Sequence, residues 1–410
     1  MLTAFSTALS ALSADTTAID VVGNNLANLD TVGFKTSTVS FNDLMSQALG
    51  ASTGSSQVGL GVGAPITTTQ YTQGAITSTG NPLDSAVQGQ GFYVLSTPAG
   101  ATQYSRAGNF QVNSAGNLTT PTGEVVQGWS NNGGVLTTSG PIGPITVPAG
   151  TLAAPITTKN TSVSLNLNSS AASGTTFSTS IQIYDSLGNA HTLTYQFTKS
   201  ATPNQWNFSV GIPPGEATPP APPTTGTLVF NSSGQLTAPA PGSPPVVAIT
   251  GLNNGATPMN VNWNLYTSGS SDITQYSQPS ATSAQSQDGS AAASLISVGI
   301  SNGGQILAQY SNGQQVVAGQ LAMASISNPA TLVAIGDNAY QTSAATALPS
   351  IGLPGTGGRG NVLGGSLESS TVDMATEFTN LIVFQRGYEA NAHVITTVDQ
   401  VSQATINLKQ

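Results

Sequence analysis

Apolar residues at Phe5, Leu12, Ile19 and Leu26 recur every seven positions, and Leu2 and Leu9 begin a companion seam. This pattern predicts one amphipathic helix over residues 2–29. The companion seam weakens to Thr16 and Gly23, so a single partner helix would bury too little to hold it. Helix nucleation is costly, and such a helix needs several neighbours. At the far end Met374, Phe378, Leu381, Gln385, Tyr388, Ala392 and Ile395 alternate spacings of four and three, which predicts a second helix from 371 to 407. Ser370, with Asp373 three positions on, is expected to cap its start.

Between these ends the period changes to two. GFYVL (91–95), FQV (110–112), IQIY (181–184) and HTLTYQF (191–197) read as strands, separated by turns such as NSAGN (113–117) and DSLGN (185–189). Asn312-Gly313, between two apolar runs, is the strongest hairpin signal. The fold class is therefore mainly β with α-helical termini, two β-rich domains being inserted between the helices. Residues 1–30 and 366–410 are expected to form the terminal helical domain, with 31–75 and 353–365 as extended linkers. Residues 76–145 and 281–352 are expected to form an inner β domain, and 146–280 an outer inserted one. PPGEATPPAPP (213–223) reads as a polyproline-type surface loop. FQVNSAGNLT (110–119) and LVFNSSGQLT (228–237) are similar, but hairpin chemistry recurs without duplication.

Charge removes several function classes. Only 6% of the 410 residues are charged, with seven Lys plus Arg and a net charge of −9, so a phosphate-tracking surface has little to be built from. Nucleic acid and acidic membranes are poor partners. Cysteine is absent, which excludes disulfides, thiolate nucleophiles and sulfur-ligated metals. No stretch reaches the about 18 apolar residues of a membrane-spanning helix. No Lys or Arg precedes Lys35, and Asp15 and Asp20 interrupt the first helix, so a cleaved secretory signal is not expected.

Reactive groups are sparse. His191 and His393 are the two histidines, one on an expected strand and one on the terminal helix, so a metal site would rest mainly on carboxylates. GLGVGAP (59–65) and GGRGNVLGG (357–365) lack the lysine and the βαβ context of a phosphate loop. No G-x-S-x-G elbow occurs. An enzyme and a cofactor are not expected. Asn24, Asn25 and Asn28 crowd the end of the first helix, followed by Gly33, Phe34 and Lys35. Gly33 suits the positive φ of a chain reversal, and the clustered amides, poor helix formers, are positioned to hydrogen-bond sideways at an interface.

The stretch ALSADTTAIDVVGNNLANLDTVGFKTSTVSF (11–41) resembles the N-terminal signature of bacterial flagellar rod and hook proteins. LGGSLESSTVDMATEFTNLIVFQRGYEANAHVITTVDQV (363–401) resembles the matching C-terminal signature. Segments 104–129, 183–199 and 303–329 are similar to the hook-type members, and the likeness weakens over about 200–275. The resemblance implies a subunit exported unfolded by the flagellar type III apparatus and stacked into an extracellular helical tube of the flagellum. In it the terminal helices would pack as a coiled-coil-like inner layer, the two heptad faces above being the assembly residues. Implied partners are further copies of the chain, the distal rod protein, the hook cap protein and the hook-filament junction protein. Two other readings stay open. A rod subunit shares both ends but lacks a domain such as 146–280, and a secreted β-rich adhesin would leave both helices without a purpose.

Overall fold

The computed structural model describes residues 2–44, 47–48, 57–131, 136–148, 150, 152–218 and 221–407. Helix α1 spans Leu2–Ala27 and helix α2 spans Met374–Asn407. The first helix ends at Ala27, short of 29, because the Leu29 amide tightens onto Leu26 O at 3.3 Å. The second begins three residues later than expected because Asp373 is the cap: the Thr376 amide donates to Asp373 Oδ1 at 2.8 Å. Ser370 Oγ instead accepts from the Val372 amide at 3.3 Å, just outside the helix.

The two helices pack on each other. The buried stripe of α1 is Ala8, Ala14, Ala18, Val22 and Asn25. In α2 Glu377 is buried, and Asn380, Leu381, Phe384, Gly387, Asn391, Ala392 and Ile395 are half-buried. Of the buried positions, Ala8, Ala18, Asn25 and Glu377 each stand one residue before a heptad position, a turn of about 100° about the helix axis. Phe5 and Leu9 are therefore 42% and 54% exposed, while Leu12, Ile19 and Leu26 are half-buried. Leu2 stands in the first turn, and its side chain lies outside the described residues. Met374, Phe378, Gln385 and Tyr388 are exposed, with Leu381, Ala392 and Ile395 half-buried. Small residues explain the choice, since they let the two backbones approach. A Cβ at Gly387 would lie 3.3 Å from Asp15 Oδ2, and Asn391 Nδ2 donates to that same oxygen at 3.0 Å.

By contacts the chain divides into two compact units, 1–149 with 297–308 and 315–410, and 150–296 with 309–314. In the first, the outgoing and returning passages are zipped together. Ile76–Ser78 runs antiparallel to Ser366–Glu368, and Ser85–Gln88 to Asn361–Gly364. Within the expected 31–75 connector, Ser37–Ser40 pairs with Ile66–Thr69, so that stretch carries a ladder of its own. Residues 45–46 and 49–56 of it lie outside the described ones. The main sheet runs in the order Gln315–Leu321, Val125–Ser130, Phe92–Ser96, Thr102–Ser105, Ala339–Gln341, Val333–Gly336. Phe92, Val94, Tyr104 and Trp129 form its core.

The second unit is a β-sandwich. One sheet orders Thr176–Tyr184, Ala190–Lys199, Gln205–Gly211, Thr224–Phe230 and Leu236–Ala238; the other orders Val246–Ile249, Met259–Asn264, Asn160–Asn166 and Ile273–Thr274. Strict alternation along Ala190–Lys199 turns Leu193, Tyr195 and Phe197 inward, where they meet Val163, Leu165 and Trp263 of the facing sheet. Its hairpins repeat one device: Asn231 Oδ1 accepts from the amides of Ser233 and Gln235, and Asp185 Oδ1 from those of Leu187 and Asn189, each near a left-handed glycine. Asn113 does the same in the first unit, which accounts for the similarity of 110–119 to 228–237.

Trp263 is fully buried, with ring centroids 5.0 Å from Tyr195 and 5.2 Å from Phe208. Trp263→Ala is expected to destabilise the sandwich by about 3–5 kcal/mol, read as a lower urea midpoint in near-ultraviolet circular dichroism. A change under about 1 kcal/mol would contradict this packing.

Candidate functional site at the meeting of the chain ends

After α1 the chain reverses at Gly33, whose φ is +69°. Its amide donates to Glu368 O at 2.8 Å, and an added Cβ would stand 2.8 Å from the Arg106 carbonyl carbon. Both the conformation and the close approach require glycine. Phe34 O then accepts from the Thr371 amide at 3.2 Å, and the Thr36 amide donates to Thr371 Oγ1 at 2.9 Å. The first turn outside α1 is thus stitched to the last residues before α2.

This reversal delivers Lys35 to a buried carboxylate. Lys35 Nζ lies 2.6 Å from Glu368 Oε1, both side chains being 0% exposed. Arg106 approaches Glu368 Oε2 at 3.4 Å. Further hydrogen bonds hold the trio: Lys35 donates to Thr72 O at 2.7 Å, Glu368 Oε1 accepts from the Gly74 amide at 2.8 Å, and Arg106 donates to Gly89 O at 2.8 Å, while Arg106 Nε is buried with no partner. The guanidinium also lies 5.3 Å from the centre of the Phe92 ring. Burial pulls the Lys35 ammonium below its ordinary range, against the opposing pull of Glu368. The same desolvation lowers Arg106. Two cations on one anion, all removed from water, hold only while every member is present.

A second clasp sits one helical turn away. Asn25 Oδ1 accepts from the Ser37 amide at 3.0 Å, while its Nδ2 donates to Ser37 O at 2.8 Å and to Glu377 Oε1 at 3.2 Å. Glu377 is buried at the start of α2, and its Oε2 has no hydrogen-bond partner. Burial raises its pKa, the Asn25 hydrogen bond opposes this, and the Asp373 charge adds to it. Beside the clasp opens a cleft of about 830 Å³ between the second half of α1 and the β strands, lined by Asp20, Asn24, Asn28, Phe34, Pro121 and Asn338 among others.

The motif residues therefore separate. Asn25, Gly33 and Lys35 are buried and tie the subunit internally. Asn24 and Asn28 face the cleft, with Asn28 Nδ2 donating to Asn24 Oδ1 at 2.9 Å, and half-buried Phe34 lies beside them. Sequence reasoning did not single out Arg106, Glu368 or Glu377. Their one available signal was rarity, since a charge inside an almost uncharged chain has few partners to choose from. Among the described residues no group of three or more His, Asp or Glu could hold a metal ion. No described helix is long and apolar enough to cross a membrane.

Two helical ends are locked to one β body by buried polar clasps, the architecture of a subunit whose ends are built to be positioned. Four flagellar family profiles match in chain order: the flagella basal body rod protein at 5–35, the D1 domain of flagellar hook protein FlgE/F/G at 86–167, the flagellar basal body protein FlaE D2 domain at 152–290, and the C-terminal part of flagellar basal body rod FlgEFG protein at 363–408. Flagellar hook protein FlgE of Salmonella typhimurium is 35% identical over 420 residues, covering 99% of this chain and 100% of the relative. That of Escherichia coli K12 is 34% identical over 422 residues, with 99% and 100% covered. The crystal structure of Helicobacter pylori flagellar hook protein FlgE2 is similar in fold, with a TM-score of 0.54 at 15% identity, covering 72% of this chain and 100% of the other. The chain belongs to the flagellar hook protein FlgE family, a family of structural proteins and not of enzymes.

Two substitutions test the clasps. Lys35→Met leaves Glu368 with a single, longer ion pair and is expected to destabilise the first unit by about 3–5 kcal/mol in urea unfolding. A loss within about 0.5 kcal/mol would mean that the trio contributes nothing net. Glu377 carries a raised folded-state pKa, so stability should fall as pH rises from below the ordinary 4.5 through the folded value. Glu377→Gln keeps an acceptor for Asn25 and cannot ionise. Thermal melts across this window should therefore flatten in the variant, and an unchanged slope would assign the pH dependence to another group.

Proposed function

We propose that the chain is the repeating subunit of a flagellar hook, polymerising through its helical ends into a flexible tube that transmits torque from rod to filament. The observation that carries this reading is the set of large apolar side chains left exposed on both helices. Phe5, Leu9, Phe378, Ile382, Val383 and Val401 are each at least two-fifths exposed on a helix pair whose mutual contact uses small residues. An apolar stripe of that length in water calls for a cover, and a helical homopolymer supplies it from neighbouring copies. The polymer would reside in the hook of the flagellum, outside the cell. Its neighbours at either end would be the distal rod protein, the hook cap protein and the hook-filament junction protein. Subunits would pass the type III export apparatus unfolded, a route compatible with a chain lacking cysteine. The assembly roles of the remaining heptad residues, Leu12, Ile19, Leu26, Leu381, Ala392 and Ile395, belong to the same proposal.

Ile382→Asp and Phe378→Asp separate assembly from folding. Both side chains are exposed in the single subunit, so stability should stay within about 0.5 kcal/mol of the parent. In a packed helical layer each would bury an unpaired carboxylate, at a cost of several kcal/mol. Electron microscopy under polymerising conditions should show tubes for the parent and none for either variant. Normal tubes from both would remove the helices from the packing layer.

A further inference from the structure

His191 occupies an inward position at the start of strand Ala190–Lys199, and both of its ring nitrogens meet carboxylates. Nε2 lies 3.0 Å from Asp185 Oδ2, and Nδ1 lies 2.6 Å from Glu216 Oε2. Asp185 belongs to the turn of the same hairpin, is fully buried, and is further held by Asn254 Nδ2 and the amides of Leu187 and Asn189. Glu216 comes from the proline-rich loop, where its side chain is 32% exposed and His191 is its one side-chain partner among the described residues. The loop's backbone is joined to the neighbouring turn by the Asn253 amide on Glu216 O at 3.0 Å and the Thr218 amide on Gly251 O at 2.8 Å.

A ring between two carboxylates satisfies both only as imidazolium, because the neutral form has one N–H and one lone pair. Loss of the proton turns a lone pair toward one of the two acids. Asp185 has three other donors and no exposure, whereas Glu216 has neither advantage. We propose that His191 is a proton-operated latch that fastens the 213–218 loop to the sandwich when charged and releases Glu216 when neutral. The titratable groups facing the ring are Asp185 from its own hairpin and Glu216 from the loop across it; the 251–255 turn contributes the uncharged Asn254.

Burial would lower the His191 pKa, but its hydrogen bonds to Asp185 and Glu216 outweigh burial and raise it above the ordinary 6.5. The latch is therefore fully closed below 6.5 and opens as pH rises through the higher folded value. Burial would likewise raise Asp185, and its hydrogen bonds, led by His191, instead bring it to about 2. Asp185 therefore keeps its charge well below the ordinary 3.8 and stays the fixed partner of the ring. Opening exposes a free carboxylate on the proline-rich loop, so alkaline conditions change both the charge and the mobility of that surface.

The test uses the full chain. The His191 imidazole resonance, assigned by its absence in His191→Gln, is titrated by NMR. In parallel, amide hydrogen exchange of residues 215–218, corrected for intrinsic rates, is followed across the same pH range. The His191 midpoint should lie above 6.5, and loop protection should drop about threefold to tenfold on passing through it. Glu216→Gln, whose amide can donate to the neutral ring, should fold normally and lose that step. A midpoint at or below 6.5, unchanged protection across it, or a step that survives in Glu216→Gln would each overturn the latch.

Discussion

Glu368 is the point on which the first unit's geometry depends. Lys35 reaches it from 333 residues away in sequence, and Arg106 from 262. A buried carboxylate without counter-charges would be untenable, so the three segments have to arrive together. Their arrival sets everything nearby: the left-handed turn at Gly33, the stitch from Phe34 to Thr371, and the direction in which α2 leaves the body. An apolar cluster could contribute as much stability but would tolerate sliding. Charge pairing at 2.6 Å with filled lone pairs does not.

That registration explains how the helices can afford a weak mutual interface. Asn25 joins α1 to Ser37 and to Glu377, so the pair is anchored at the end nearest the β body. Beyond the anchor, contact relies on alanine, on Gly387 against Asp15, and on Asn391. Small residues contribute little burial but leave bulky apolar side chains free to face outward. A subunit built this way keeps its helices aligned while leaving Phe5, Leu9, Phe378 and Tyr388 exposed.

The strands were largely legible in the sequence because their signals are local. Alternation along 190–199 and the Asn or Asp with glycine at 113–116, 185–188 and 231–234 depend on neighbours within five residues. The heptad period of both helices was legible as well. Its phase was not, because a seam's period says which residues share a face and not which face meets the partner. The heptad was read as the assembly face, and the positions that the single subunit buries most deeply beside it, Ala8, Ala18, Asn25 and Glu377, carry small or polar side chains that no apolar period marks. The buried charges were illegible for another reason: Glu368 and Glu377 gain meaning only from residues more than 260 positions away.

The scarcity of charge then acquires a physical sense. Of the cations, Lys35 and Arg106 are spent on Glu368, Lys199 lies 5.2 Å from the centre of the Trp206 ring, and Arg359 donates to the carbonyl of Leu353 and to Thr356 Oγ1. Among the described residues this leaves Lys159 and Arg386 exposed, the latter paired with Glu389 on its own helix. The outer surface of such a subunit can meet a neighbour through hydroxyls, amides and water, but hardly through bidentate ion pairs. Contacts of the first kind exchange partners with little net penalty, while those of the second resist displacement. A tube that bends as it turns must break and remake outer contacts on every revolution. Confining strong charge pairs to the interior of the subunit gives each copy a rigid body and leaves the contacts between copies free to shift.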